Sequence, residues 1–321
     1  MNPLSIQNPL LTLSHLNVAY DMQQHARVLL KGPDAKSFLH RLSTNTVMSS
    51  KTGDSCLNAL VSQKGRLVDL FHQVIVGDQE ILAMTSSKPG PEFCAWLDQF
   101  LFVEKVELED ISKEGGLVCV FGGKPIADLQ KWQCSINGTQ IIMRSFDFID
   151  ENLHKIPSFL IYDRKASAPE IIEKLALPPL WIEQDLFETA RIAAGICTFP
   201  TEINEAFNPL ELSLNDALHW DKGCYIGQEV ISRLHTYQKL SKQLCLASVN
   251  QADAEHLKIG QSIIHNDQTI GQLTSVAPFY WPKHANALAI IKQKSDQEPL
   301  LLATVQTVLK QIEVSFTKIT P

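Results

Sequence analysis

The sequence predicts an α+β protein that closes with an all-β unit. Two observations carry this. In the first two thirds, β-rich runs alternate with stretches whose apolar residues fall at helical spacing; after about Leu240 only short strands follow, separated by turn residues. With 321 residues, 45% of them hydrophobic and 20% charged, the chain can bury a large core and has the length of two or three domains.

Taken in order, Ala26 to Leu30 reads as a strand. Gly32-Pro33-Asp34 then opens a helix defined by Phe38, Leu39 and Leu42, with Asp34 placed to cap it. Three β-rich runs follow, Cys56 to Val61, Leu67 to Val76 and Glu80 to Thr85, the last two joined at Gly77-Asp78. Behind Pro91, the residues Phe93, Trp96, Leu97, Phe100 and Leu101 define a helix that covers a sheet. Val106 to Leu108 and Leu117 to Phe121 return to strand. Asn137-Gly138, between Cys134 to Ile136 and Thr139 to Arg144, is the strongest hairpin signal, because both turn residues tolerate positive φ. A strand at Phe159 to Tyr162 leads to a helix at Pro169 to Leu175, then to a longer one from Trp181 to Ala194 that Gly195 stops. Phe199 to Leu214 is irregular and proline-bearing, as segments that line a site often are. The last strands, Gln243 to Val249, Gln261 to His265, Thr269 to Val276, Ala287 to Ile291, Leu300 to Val305 and Gln311 to Phe316, fit a small barrel or sandwich.

The net charge of -7 argues against a general polyanion binder. One stretch runs the other way: Lys31, Lys36, Arg41, Lys51, Lys64 and Arg66 outnumber Asp34 and Asp54, which reads either as a local basic patch for a polyanion or as a solvated surface. Seven cysteines, never closer than fifteen residues, exclude a disulfide scaffold and a local zinc knuckle and suggest a reducing compartment. The first basic residue is Arg27, and no apolar run approaches the roughly 18 residues that span a bilayer. The expectation is a soluble cytoplasmic protein without membrane contact.

Lys222 to Arg233, Lys-Gly-Cys-Tyr-Ile-Gly-Gln-Glu-Val-Ile-Ser-Arg, is the stretch with the most chemistry. Its glycines permit tight backbone, and Ile226, Val230 and Leu234 then recur at helical spacing, which stacks Glu229 over Arg233 on a second face. Cys224 precedes the expected helix start and follows Lys222 by two residues. Both features favour thiolate; the alternative is a buried, inert cysteine.

Lys222 to Glu229 resembles the signature of the YgfZ-type folate-binding proteins of iron-sulfur cluster assembly and repair, themselves similar to the glycine-cleavage T-protein, an aminomethyltransferase. Leu30 to Leu42, Gln63 to Asp69, Ala190 to Ile196, Asn208 to Leu212 and Ile270 to Ala277 with Ala287 to Ile291 look like further landmarks in family order. The resemblance implies two α+β domains with ferredoxin-like sheets and a C-terminal β-barrel, set in a ring around a hole that holds tetrahydrofolate. On that pattern residues 1–50 with 135–240 form a discontinuous folate-binding domain, 51–134 an inserted domain and 241–321 the barrel.

The resemblance also implies roles. Glu211 would accept the N-H donors of the pterin, since one carboxylate matches two adjacent donors. Arg191 would point into the same cavity or pair with Glu188 on the surface. Lys222 would hold the folate's carboxylates or keep Cys224 ionised, and Tyr225 would offer a ring face, with Glu229 and Arg233 completing the cofactor-binding set. The T-protein carries an aspartate pair where this chain has Gly65 to Leu70 with Asp69 alone, so Asp69 is the candidate acid-base group. Cys224 is the other candidate catalytic residue. A single thiolate falls short of the roughly four ligands of a cluster, so the expected partners are iron-sulfur proteins or assembly factors. The alternatives are a folate-dependent one-carbon transferase and a tRNA-contacting accessory.

Overall fold

The computed structural model describes residues 13–85, 88–123, 134–175, 178–237, 239–292, 302–306 and 311–319. They form two mixed α/β layers and a closed barrel. The chain enters through β1 (Asn17–Asp21), an unexpected strand, whose antiparallel partner is β7 (Gly116–Gly122). Between the two lies a complete five-stranded sheet: β2 (Arg27–Lys31), β3 (Ser55–Val61), β4 (Leu67–Gly77), β5 (Glu80–Thr85) and β6 (Glu107–Asp110), in the order β3-β4-β5-β2-β6. Helices α1 (Ala35–Leu42) and α2 (Gly90–Asp98) pack with it. Phe38, Leu39 and Leu42 of α1 and Phe93 and Leu97 of α2 share one core with Val28, Leu30, Phe71 and Ile81.

Sheet membership therefore differs from the expected division. The run 27–31 pairs with β5 and β6, whereas it was expected to join 137–175. β7, assigned to the inserted unit, lies at the centre of the other sheet. The reason lies in β1: Val18 and Ala19 are fully buried and supply the pairing that 26–30 was expected to give, but a five-residue run with polar neighbours carries little local signal.

The second sheet is six-stranded, in the order β11-β1-β7-β10-β9-β8, with β8 (Cys134–Asn137), β9 (Gln140–Ile149), β10 (Lys155–Asp163) and β11 (Leu180–Trp181). The β8-β9 hairpin turns at Gly138-Thr139, one residue later than expected, with Gly138 at φ 60. Helix α3 (Ala168–Glu173) starts on a capping box between Ser167 and Glu170. Helix α4 (Gln184–Ala193) begins later than expected, because Trp181 is spent in β11 beside Ala19; Gly195, at φ 74, ends it as expected.

Helix α5 (Gln228–Tyr237) follows the motif. The barrel then runs β12 (Lys242–Ser248), a short α6 (Gln251–Ala254), β13 (Ser262–His265), β14 (Gln268–Val276), β15 (Ala287–Lys292), β16 (Leu302–Gln306) and β17 (Gln311–Lys318), and closes through β17 on β12. Leu300 and Leu301 of the expected fifth barrel strand lie outside the described residues. Apolar cores run across the units. One joins Leu29, Val74 and Met84 to Leu117, Phe121 and Leu160, and another joins Ala59 and Leu70 to Ile192 and to Leu244 and Leu288 of the barrel. No helix among the described residues is long and apolar enough to cross a membrane.

Candidate functional site: a cavity shared by three sheets

A cavity of about 610 Å³ opens where the two sheets and the barrel meet. Its walls come from all three: Leu70 and His72 on β4, Phe146 and Phe148 on β9, and Ser275 and Val276 on β14. Helix α4 contributes Gln184, Phe187, Glu188 and Arg191, at i, i+3, i+4 and i+7, so that one helical stripe faces the space. Phe187 stacks flat on Tyr20 of β1, centroids 4.0 Å apart at 9°. The walls are mainly apolar and aromatic, as in small-molecule sites of about 300–1,000 Å³.

Charge is concentrated at one end. The Arg191 guanidinium is buried; its Nε donates to Glu188 Oε2 at 2.8 Å, Nη1 to the Ile196 carbonyl at 3.0 Å and Nη2 to Ser275 Oγ at 3.2 Å. Nη1 also lies 3.9 Å from Glu202, which is wholly buried and accepts from Ser275 Oγ and Thr201 Oγ1, each at 2.7 Å. Two carboxylates thus surround one cation. Glu202 has its hydrogen bonds filled by protein, whereas the Glu188 side chain keeps 27% exposure and lines the cavity. That end is suited to a donor-rich ligand edge.

Another part of the wall is polar but uncharged. His72 Nε2 lies 2.9 Å from Ser145 Oγ, and His25 Nδ1 lies 3.1 Å from the Thr85 carbonyl. Both rings touch only cavity space and protein, and this burial lowers each pKa to about 4. The neutral folded imidazoles oppose protons that the unfolded chain takes up from about pH 6.5. Their contribution is complete above that pH and is lost as pH falls through about 4. The unfolding free energy from denaturant titrations between pH 7.5 and 4.5 should fall by up to about 1.4 kcal/mol per pH unit and imidazole. In His72→Gln the slope should be shallower.

The eight residues singled out in the sequence do not converge here. Arg191 alone of them lines the cavity, and its pairing with Glu188 is there, buried, not on the open surface. Asp69 is fully buried in β4 and is not on the wall, where Leu70 and His72 are; its Oδ1 accepts from the Leu70 amide at 2.8 Å. Glu211 is also buried and lies off the wall. It accepts from the Asn208 amide at 3.1 Å, Ser241 Oγ at 2.9 Å and Arg66 Nη1 at 3.3 Å, which fastens the 208–211 turn to the β3-β4 turn and to the chain entering the barrel.

Lys222 is turned away from Cys224. Its Nζ donates to the carbonyls of His40 at 2.8 Å and of Ser43 and Asn45 at 2.6 Å each, closing the C-terminal end of α1. Burial lowers its pKa to about 7, while three carbonyls take all three N-H bonds, a set only the ammonium offers. The thiol that feels this charge is Cys56. Cys224 is exposed, the one exposed thiol of seven, in a loop four residues ahead of α5. Tyr225 is half-buried under that ammonium, centroid 5.2 Å away, and burial raises its pKa to about 12. Glu229 and Arg233 line a separate outer groove along α5 with Val230, Leu234, Tyr237 and Lys239.

Two landmark segments nevertheless meet. Gly227, at φ 78, sits where a Cβ would lie 2.5 Å from the Ser62 carbonyl, and a Cβ on Gly65, at φ 66, would lie 3.0 Å from Val230. The motif glycine therefore serves close packing of α5 on the β3-β4 turn. Half of the expected basic patch is paired with carboxylates, Lys31 with Glu109, Arg41 with Glu104 and Arg66 with Glu211.

Comparison with known proteins agrees with this architecture. Residues 13–160 match the family model of the GCVT N-terminal domain. Among curated relatives, a putative chloroplastic transferase of Arabidopsis thaliana is 26% identical over 80% of this chain and 61% of its own length. An aminomethyltransferase of Chlorobium luteolum is 25% identical over 69% of this chain and 65% of its own. The chain thus spans less than two thirds of these relatives. A tRNA-modifying protein YgfZ of Colwellia psychrerythraea is 24% identical over 71% of each chain. Among solved structures, the glycine cleavage system aminomethyltransferase T of Bartonella henselae superposes with a TM-score of 0.77 at 14% identity, covering 97% of this chain and 88% of that one. Residues 13–160 thus resemble the GCVT N-terminal domain, and the chain as a whole has the fold of the T-protein aminomethyltransferase.

Proposed function

We propose that the protein binds a reduced folate in the cavity between its three sheets and transfers a one-carbon unit of the aminomethyl type. The observation that carries this reading is the cavity itself. It offers the aromatic rings of Tyr20 and Phe187, is ample in volume, and carries in Glu188 a carboxylate able to accept ring N-H donors. The residues fit such a group: Glu188 and Gln184 would bind the pterin edge, Phe187 would orient the ring, and Phe146 and Phe148 would exclude water. When bound, the folate supplies the nitrogens that carry the one-carbon unit. Arg191 keeps Glu188 aimed, and the apolar walls strengthen that contact by removing competing solvent.

Calorimetric titration with 5-formyltetrahydrofolate tests the reading. One site per chain is expected, and Glu188→Gln should weaken it by about tenfold or more, because a hydrogen bond to a charged acceptor is worth about 1.5–3 kcal/mol. Wild-type protein without measurable binding would contradict it.

A second reading has its own observation. Cys224 is exposed within the Lys222 to Glu229 motif, which supports action on iron-sulfur cluster proteins or assembly factors, with tRNA-modifying enzymes as indirect beneficiaries. Under this reading Cys224→Ala abolishes support of cluster enzymes and leaves the folate titration unchanged. Full support by that variant would remove the thiol from the mechanism.

A further inference from the structure

One-carbon transfer to a folate nitrogen needs a proton acceptor, since the attacking nitrogen loses its hydrogen as the departing amine gains one. Asp69 does not reach the cavity wall. The titratable side chains that do are Tyr20, His25, His72, Glu188, Arg191 and the thiols Cys119 and Cys197. Burial pushes Cys119 up to about 12 and Cys197 well above its usual value, so both keep their protons at neutral pH. Tyr20 is raised as well, by burial and by the charges of Glu188 and Asp21. Arg191 is bound to Glu188 through two of its nitrogens. Two imidazoles remain.

Of these, His25 has its Nδ1 engaged by the Thr85 carbonyl. His72 is placed differently. It projects from β4 of the five-stranded sheet and meets Ser145 from β9 of the six-stranded one, Nε2 to Oγ 2.9 Å, with both residues on the cavity wall. Phe146 packs edge-on against the ring, centroids 5.2 Å apart at 61°. The pair exists only where the two sheets join, which is also where the cavity lies. Leu70, Phe71 and His72, consecutive on β4, all reach the space, and Asp69 does not.

We propose that Ser145 and His72 form the proton-accepting pair of this cavity, with His72 as a catalytic residue for the transfer, in the place expected for Asp69. The assignment rests on the one-carbon reading above. In the step, two folate N-H bonds would be exchanged for two N-C bonds to the carbon of the aminomethyl-lipoyl donor: one as the donor's C-N bond breaks and the amine leaves, the other as its C-S bond breaks and the sulfur takes that proton as the carrier thiol. The first proton passes to Ser145 Oγ while the serine proton passes to His72 Nε2, and it returns to the departing amine as ammonia. Atoms and charge balance without oxidant or reductant. An imidazole held neutral by burial suits this task, because it accepts with a basicity close to a carboxylate's and brings no charge into the apolar cavity.

The test follows ammonia release by the full-length protein, with tetrahydrofolate and an aminomethyl-lipoyl carrier protein as donor. Wild type turns over; His72→Gln, which still bonds Ser145 but takes no proton, should lose about 10²–10⁴-fold in kcat while binding 5-formyltetrahydrofolate within twofold of wild type. His72→Asp should recover part of the rate with an acid limb in the carboxylate range, a recovery that a packing role would not give. His72→Asn serves in the same way if the glutamine variant folds poorly. Turnover by His72→Gln within about threefold of wild type overturns the assignment and leaves the one-carbon reading standing. Folate binding without any wild-type turnover overturns that reading, and the assignment with it.

Discussion

Arg191→Met should lower stability by about 3–5 kcal/mol, because among the described residues it removes the only cation within ion-pair distance of a fully buried carboxylate. The loss has three parts. Glu202 keeps its hydroxyl donors but loses its counter-charge, Glu188 loses both contacts that aim it, and the Ile196 carbonyl loses its donor. Urea unfolding should show a lower midpoint with an unchanged slope. Lysine at 191 should recover only part, since one ammonium does not reproduce the fork that reaches Glu188, Ile196 and Ser275 together. Adding Glu202→Gln to Arg191→Met should return a fraction of the loss, and strict additivity would show that the pair is not coupled. Folate affinity should fall in parallel, through Glu188.

Lys222→Met is the second large effect. Measured at pH 6, it should cost about 3 kcal/mol or more, because three carbonyls lose charge-assisted donors worth about 1.5–3 kcal/mol each before water compensates. The damage should be local as well as global. The Ile226 amide, which donates to the Arg41 carbonyl next to this cap, should exchange its hydrogen faster than in wild type. Cys224→Ala, two residues away and exposed, should stay within about 0.5 kcal/mol of wild type. Equal stability of Lys222→Met and wild type would return Lys222 to the role of ligand holder that its place in the motif suggests.

The contrast between these positions shows what a linear sequence conveys. The helix through Phe38, Leu39 and Leu42, the stop at Gly195 and the barrel strands follow from spacing and turn chemistry, which are local. Arg191 was legible for the same reason, because Glu188 is its neighbour one helical turn back. Strand β1 was not, since its identity depends on β7, about a hundred residues on, and its loss misplaced β2 and β7 in turn. The motif misled in a specific way. Its spacing suggested that Lys222 serves Cys224, yet the ammonium is held by carbonyls 177 to 182 residues earlier in the chain. His72 and Ser145, 73 residues apart on different sheets, carried no local signal at all.

The central claim is that the ligand lies between the three sheets and not beside the motif. A crystal structure of the protein grown with 5-formyltetrahydrofolate decides it. The ring should stand against Phe187 and Tyr20 with its N-H edge on Glu188, and a pterin held by Glu211 or next to Cys224, with the cavity empty, would contradict it.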